Sequence, residues 1–172
     1  MIKVTLPDGS IKELEQGSTP MDVAQSISAG LARNVISAKY NDTIVETSTP
    51  LTTDGNLTLY TWNDDEGKQA FWHSTSHVMA QAIQDLYPGA KLTIGPAIEN
   101  GFYYDVDFGE QKISESDFSK IENRMLEIAR GKHDFKMREV TKKEALDYYK
   151  KINNPFNPKI RKVAKNDLSS LF

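Results

Sequence analysis

Three observations predict an α+β fold in two bodies. The first 62 residues read as strand, strand, helix and then further strands. A polar, acidic joint ending in glycine, Asn63-Asp64-Asp65-Glu66-Gly67, interrupts that order. Beyond it the apolar spacing changes to that of a long amphipathic helix. The expected organisation is a β-rich module over 1–62, a linker over 63–67 and a mixed α+β body over 68–172.

In the module, Ile2, Val4 and Leu6 alternate with polar residues, and Pro7-Asp8-Gly9-Ser10 supplies a turn into a second strand over 11–15. Thr19 suits a helix N-cap and Pro20 the first helical position, and Gly30 is a plausible stop. Strands are expected around 35–40, 43–45 and 57–62. In the second body a helix is predicted over 68–86, ended by Tyr87-Pro88-Gly89. Segments 91–98 and 101–108 flank Glu99-Asn100-Gly101, a tight-hairpin signal. A helix over 116–130 follows, with Phe118, Ile121, Met125, Ile128 and Ala129 on its apolar side. A strand is expected over 134–140. Thr141-Lys142-Lys143-Glu144 has the spacing of a capping box that opens a helix to about 151. After Asn153-Asn154-Pro155-Phe156-Asn157-Pro158 the pattern dissolves, and the basic end is left open between ordered and disordered.

Composition narrows the function classes. The 172 residues contain no cysteine, which excludes disulfides, thiolate metal sites and a cysteine nucleophile. Mean hydropathy is −0.53, no apolar run approaches the ~18 residues of a membrane span, and the N-terminus lacks signal-peptide character. A cytoplasmic location is expected. The net charge of −3 hides an asymmetry: 4 basic and 7 acidic residues over 1–62, 5 and 12 over 63–129, then 12 and 5 over 130–172. The basic third, with Lys150, Lys151, Lys159, Arg161, Lys162 and Lys165, has the charge to meet phosphates, or is a solvated tail.

Two of the three histidines, His73 and His77, sit four apart in Phe71-Trp72-His73-Ser74-Thr75-Ser76-His77. On a helix they project from one face. Phe71, Val78, Met79, Ala82, Ile83 and Leu86 gather into an apolar stripe, and His73, His77, Ala80 and Gln84 fall almost opposite it. The pair lines either open solvent, as an exposed pair with no function, or a cleft, where it can move protons or hold a metal. As a zinc site it would need a third ligand, with His133, Glu99 and Asp105 as candidates, and Ser74 stands where a protease-type His-Glu-x-x-His has glutamate. Strand alternation puts Tyr104 with the apolar residues Phe102, Val106 and Phe108, and Tyr103 with Asp105 and Asp107. Trp72, at the stripe's edge, reads as core rather than as a stacking platform.

Two stretches together resemble the bacterial-type threonyl-tRNA synthetases. The first is Val4-Thr5-Leu6-Pro7-Asp8-Gly9-Ser10 with Pro20-Met21-Asp22-Val23-Ala24 and Gly30-Leu31-Ala32, similar to the β-grasp, ubiquitin-like TGS domain that opens those enzymes. The second is His73-Ser74-Thr75-Ser76-His77 with Gly95-Pro96-Ala97-Ile98-Glu99-Asn100-Gly101-Phe102-Tyr103-Tyr104-Asp105, similar to their proofreading domain. The resemblance covers roughly the first 150 residues. It implies hydrolysis of mischarged seryl-tRNA, with His73 and His77 in catalysis, Gly95 and Tyr104 binding the substrate, and no metal in this part. The partner implied is the acceptor end of tRNA; neither membrane nor DNA is expected. ATP and zinc belong to a synthetic domain missing here, and dimerisation to missing domains, so a fragment with a proofreading domain incomplete at its C-terminus is expected.

The family's downstream Asp-x-Cys-x-x-x-His segment has no counterpart: Asp167-Leu168-Ser169-Ser170-Leu171-Phe172 echoes only its start, with Ser169 in place of cysteine, and is expected to be a chance match. A functional lysine follows the family's equivalent of Asn154-Pro155-Phe156, where this chain has Asn157 and then Lys159 two further on. Three function classes stay open: part of a hydrolytic proofreading site, a non-catalytic tRNA- or partner-binding module, and a fragment of a regulatory GTPase, which the segment from His73 to Asp105 disfavours.

Overall fold

The computed structural model describes residues 1–93, 95–131, 138–141, 143–144, 147–148 and 168–171. The alternation of Ile2 and Val4 with polar neighbours builds β1 (Ile2–Thr5), which pairs antiparallel with β2 (Ile11–Leu14) across the Pro7–Ser10 turn. Thr19 caps α1 (Pro20–Ile27): its Oγ1 accepts from the Asp22 N–H at 3.2 Å while the Asp22 carboxylate accepts from the Thr19 N–H at 2.8 Å. The helix ends earlier than the glycine signal suggests. Ser28 is extended, and its Oγ accepts from the Leu31 N–H at 3.0 Å to open α2 (Ala29–Asn34), so Gly30 lies inside a second short helix. Then come β3 (Ser37–Tyr40), β4 (Thr43–Val45) and β5 (Gly55–Tyr60).

These strands form one mixed sheet in the order β2-β1-β5-β3-β4, parallel only between β1 and β5. Its core is Ile2, Val4, Val23, Ala38, Leu51 and Leu57, sealed beneath α1. Asn41 turns β3 into β4 with a left-handed φ of 48°, and its Oδ1 accepts from the Asn56 N–H at 3.0 Å. The α+β class and the β-grasp order are those expected.

The next helix, α3 (Asp65–Leu86), begins inside the predicted linker. Asp64 closes the preceding turn, its carboxylate accepting from the Thr61 N–H at 2.7 Å and from the Thr61 hydroxyl at 3.0 Å. Gly67 is buried, and a Cβ added there would overlap the Thr61 carbonyl oxygen. The glycine, read in the sequence as the end of a polar joint, permits close approach of two backbones. The chain divides into two compact units, Met1–Ser74 with Ala97–Gly101, and Thr75–Pro96 with Phe102–Phe172.

Beyond α3 the predicted hairpin forms with broken arms. β6 (Lys91–Leu92) pairs with β9 (Val106–Asp107), and β7 (Ala97–Ile98) with β8 (Gly101–Phe102), where Gly101 has a φ of 144°. A long helix, α4 (Glu115–Arg130), follows. At its start the Asp117 carboxylate accepts from the Ser114 N–H at 3.1 Å and from Lys120 Nζ at 2.9 Å; these bonds hold it well below the usual carboxylate range, the Lys120 bond counting most. The core joins Ala80, Ala82, Ile83, Ala90, Leu92, Ile121 and Ile128. Arg124 on α4 donates Nε and Nη2 to Asp85 of α3, at 2.9 and 2.7 Å. Two residues of the predicted α4 face are exposed. The buried seam narrows to Ile121, Met125 and Ile128, and at ~100° per residue Phe118 and Ala129 fall at its edge.

Further on, β10 (Arg138–Thr141) pairs antiparallel with β11 (Leu168–Leu171), Val140 opposite Ser169. Leu168–Leu171, in the stretch where the sequence pattern dissolves, thus pair with a strand some thirty residues earlier. The capping box at Thr141 is present: Glu144 Oε2 accepts from the Thr141 N–H at 2.8 Å and Thr141 Oγ1 accepts from the Glu144 N–H at 3.3 Å.

Candidate functional site

α3 carries His73 and His77 one turn apart, the first exposed and the second half-buried. The buried face of this helix is rotated from the predicted stripe. Ser76 and Ala80 join Ala82 and Ile83 inside, whereas Phe71 and Leu86 are partly exposed. Ser76, being small, lets a neighbouring backbone come close, and Ala80 is buried, not on the outer face where it was expected.

That backbone belongs to Gly95. Ser76 is fully buried, and its Oγ donates to the Gly95 carbonyl at 3.1 Å. Gly95 in turn lies on the ring of Tyr104: an added Cβ would overlap Cδ2 and Cε2 of that side chain. Tyr104 packs against the core cluster beside Met79, Val106 and Phe108, while Tyr103 is exposed, as alternation predicts. The opposite end of the segment is held too, since the Thr93 N–H and Oγ1 both donate to the Asp105 carbonyl, at 3.1 and 2.7 Å.

The structure thus brings Gly95 and Tyr104 into contact and ties them to Ser76, the residue before His77. Ser76 is the member sequence reasoning passes over. The available signal was its place on the Ile83 side of the helix, where a hydroxyl needs a partner.

Trp72 is half-buried in an edge-to-face cluster with Trp62 and Phe71, ring centroids 5.0 to 5.5 Å apart. Glu99 and Asp105 are exposed, and among the described residues no group of three or more His, Asp and Glu side chains is placed to hold a metal ion. His133, the segment Asn154-Pro155-Phe156, Asp167 and the basic residues Lys150, Lys151, Lys159, Arg161, Lys162 and Lys165 lie outside the described residues. No helix among the described residues is long and apolar enough to cross a membrane.

Comparison with known proteins fits this architecture. Residues 2–61 match the TGS domain. Over 150 residues the chain is 76% identical to the threonine–tRNA ligase of Flavobacterium johnsoniae, covering 87% of this chain and 23% of the ligase. Over a like span it is 71% identical to that of Flavobacterium psychrophilum. The match to the Cytophaga hutchinsonii enzyme is 53% identical over 156 residues, 91% of this chain and 24% of the ligase. The chain spans about a quarter of the length of these curated relatives, and corresponds to their N-terminal part.

Proposed function

We propose that this chain, corresponding as it does to the N-terminal part of threonine–tRNA ligases, serves cytoplasmic protein synthesis as the region that proofreads mischarged seryl-tRNA by hydrolysis. The observation that carries this reading is the linkage of Ser76, beside His77, to Gly95 and Tyr104 within one unit. It joins the histidine helix to the segment that resembles the family's substrate pocket.

The chemical need is clear. Serine and threonine differ by one methyl group, and a single such group gives only ~1–3 kcal/mol of discrimination in one binding event. A second site that cleaves the smaller ester multiplies the selectivity. Hydrolysis adds water across the ester bond: the water oxygen attacks the seryl carbonyl, a base takes its proton, and the ribose oxygen leaves as a hydroxyl after protonation. His77 and His73 supply imidazoles for those transfers, and Gly95 and Tyr104 contact the amino acid. The acceptor end of tRNA is the partner. ATP and zinc serve the ligase reaction elsewhere in the parent enzyme, as does dimerisation.

The test is deacylation of purified seryl- and threonyl-tRNA by this chain and by His73→Ala. With no cysteine in the chain, and with residues of a catalytic set acting non-additively, turnover is expected to be slow but serine-selective and lost in the variant. Absence of histidine-dependent hydrolysis, together with failure to bind a non-hydrolysable seryl-adenosine amide, would remove the proofreading reading and leave a tRNA-binding module.

A further inference from the structure

We infer, resting on the proofreading role proposed above, that Ser76 is a positioning residue whose hydrogen bond to Gly95 sets how sharply the site rejects the larger amino acid. Four facts converge on it. Ser76 is the one hydroxyl among the most completely buried side chains of the described residues. Its Oγ reaches a backbone carbonyl 19 residues away, so the bond ties the helix to a distant segment of the chain. The carbonyl belongs to a glycine whose Cα is already against the Tyr104 ring, leaving the loop no slack on that side. The residue after Ser76 is His77, so loop and imidazole are referenced to adjacent positions on one helix.

A surface excludes one methyl group only if it does not yield by a few tenths of an ångström. On either side of Gly95, β6 ends at Leu92 and β7 begins at Ala97. Thr93 anchors the segment around Gly95 from one side through the Asp105 carbonyl, and Ser76 anchors it from the other. Ser76→Ala removes the second anchor while leaving the aromatic floor and both histidines in place. The loop gains freedom to retreat, and the ligand that benefits is the one that was excluded.

Binding of two non-hydrolysable probes separates the possibilities: 3′-amino-3′-deoxyadenosine carrying serine, or threonine, through an amide. The whole chain is titrated with each by calorimetry. In Ser76→Ala the threonine probe should bind about five- to tenfold tighter than in the unsubstituted chain, with the serine probe changed by no more than about twofold. Ser76→Cys, a weaker donor of similar size, should fall between, and carries the test alone if the alanine variant does not fold. Equal weakening of both probes would reduce Ser76 to a packing role and overturn the inference, as would an unchanged ratio in both variants. Failure of the unsubstituted chain to distinguish the probes would overturn the proofreading reading itself.

Discussion

Of the largest side chains that are fully buried among the described residues, Leu51, Leu57, Val4, Val23 and Pro20 belong to the first unit and are apolar, whereas Ser76, a hydroxyl, belongs to the second. The contrast extends to the backbone. The β-grasp sheet runs through five hydrogen-bonded strands, but the hairpin after α3 consists of two-residue pairs. An apolar core beneath a continuous sheet is stabilised by area, and no single atom in it is indispensable to position. A loop without a ladder must be fixed by individual contacts, here Ser76 to Gly95, Thr93 to Asp105, and the Gly95–Tyr104 approach. Regular structure places the residues of the sheet. Around Gly95, placement comes from individual contacts.

The largest expected effect tests the apolar half of that contrast. Leu57→Ala, at a residue 1% exposed, should cost about 2–5 kcal/mol in urea unfolding monitored through the sheet. A cost under 1 kcal/mol would mean the core closes over the gap and is not packed tightly. Gly95→Ala probes the other half: the new methyl must displace Tyr104 or the loop, at about 1–3 kcal/mol by thermal denaturation. A neutral result would show the Tyr104 ring swings aside easily, and the loop would then be less constrained than its contacts imply. Thr19→Ala should cost about 1 kcal/mol, since its hydroxyl caps α1 in an exposed setting.

The smallest effect is a pH dependence shared by both units. Asp22 is held below its ordinary value of 3.8 by the backbone bond from Thr19, and Asp117 chiefly by Lys120. A carboxyl whose pKa is lowered on folding stabilises the fold above its unfolded value and loses that contribution as pH falls through the folded one. Asp22→Asn and Asp117→Asn should therefore show a constant stability deficit from neutral pH down to about 5, shrinking below the unfolded value. A deficit that grows on acidification would contradict the assignment.

What could be seen in the sequence was local. The N-cap at Thr19, the capping box at Thr141, the Asn-Gly turn and the alternation of Tyr103 and Tyr104 each depend on residues a few positions apart, and all four are present. What escaped depends on distant partners. The hairpin breaks where Ser76 draws in Gly95, β11 exists through its pairing with Arg138–Thr141, and the buried side of α3 turns toward small residues that a hydropathy stripe ignores. Of the four expected site residues, Gly95 and Tyr104 are in direct contact, an approach that pairing two chain segments makes and spacing alone does not reveal.

Gly67 carries a consequence for the gene as well as for the fold. Every single-base missense change of a glycine codon yields a residue with a Cβ, and at this position any Cβ meets the carbonyl oxygen of Thr61. The mildest substitution available, alanine, already collides, and larger ones collide through the same first carbon. Size therefore offers no gradient along which the position can drift. With Thr61 in place, synonymous codons are the neighbours that leave the entry into α3 undisturbed.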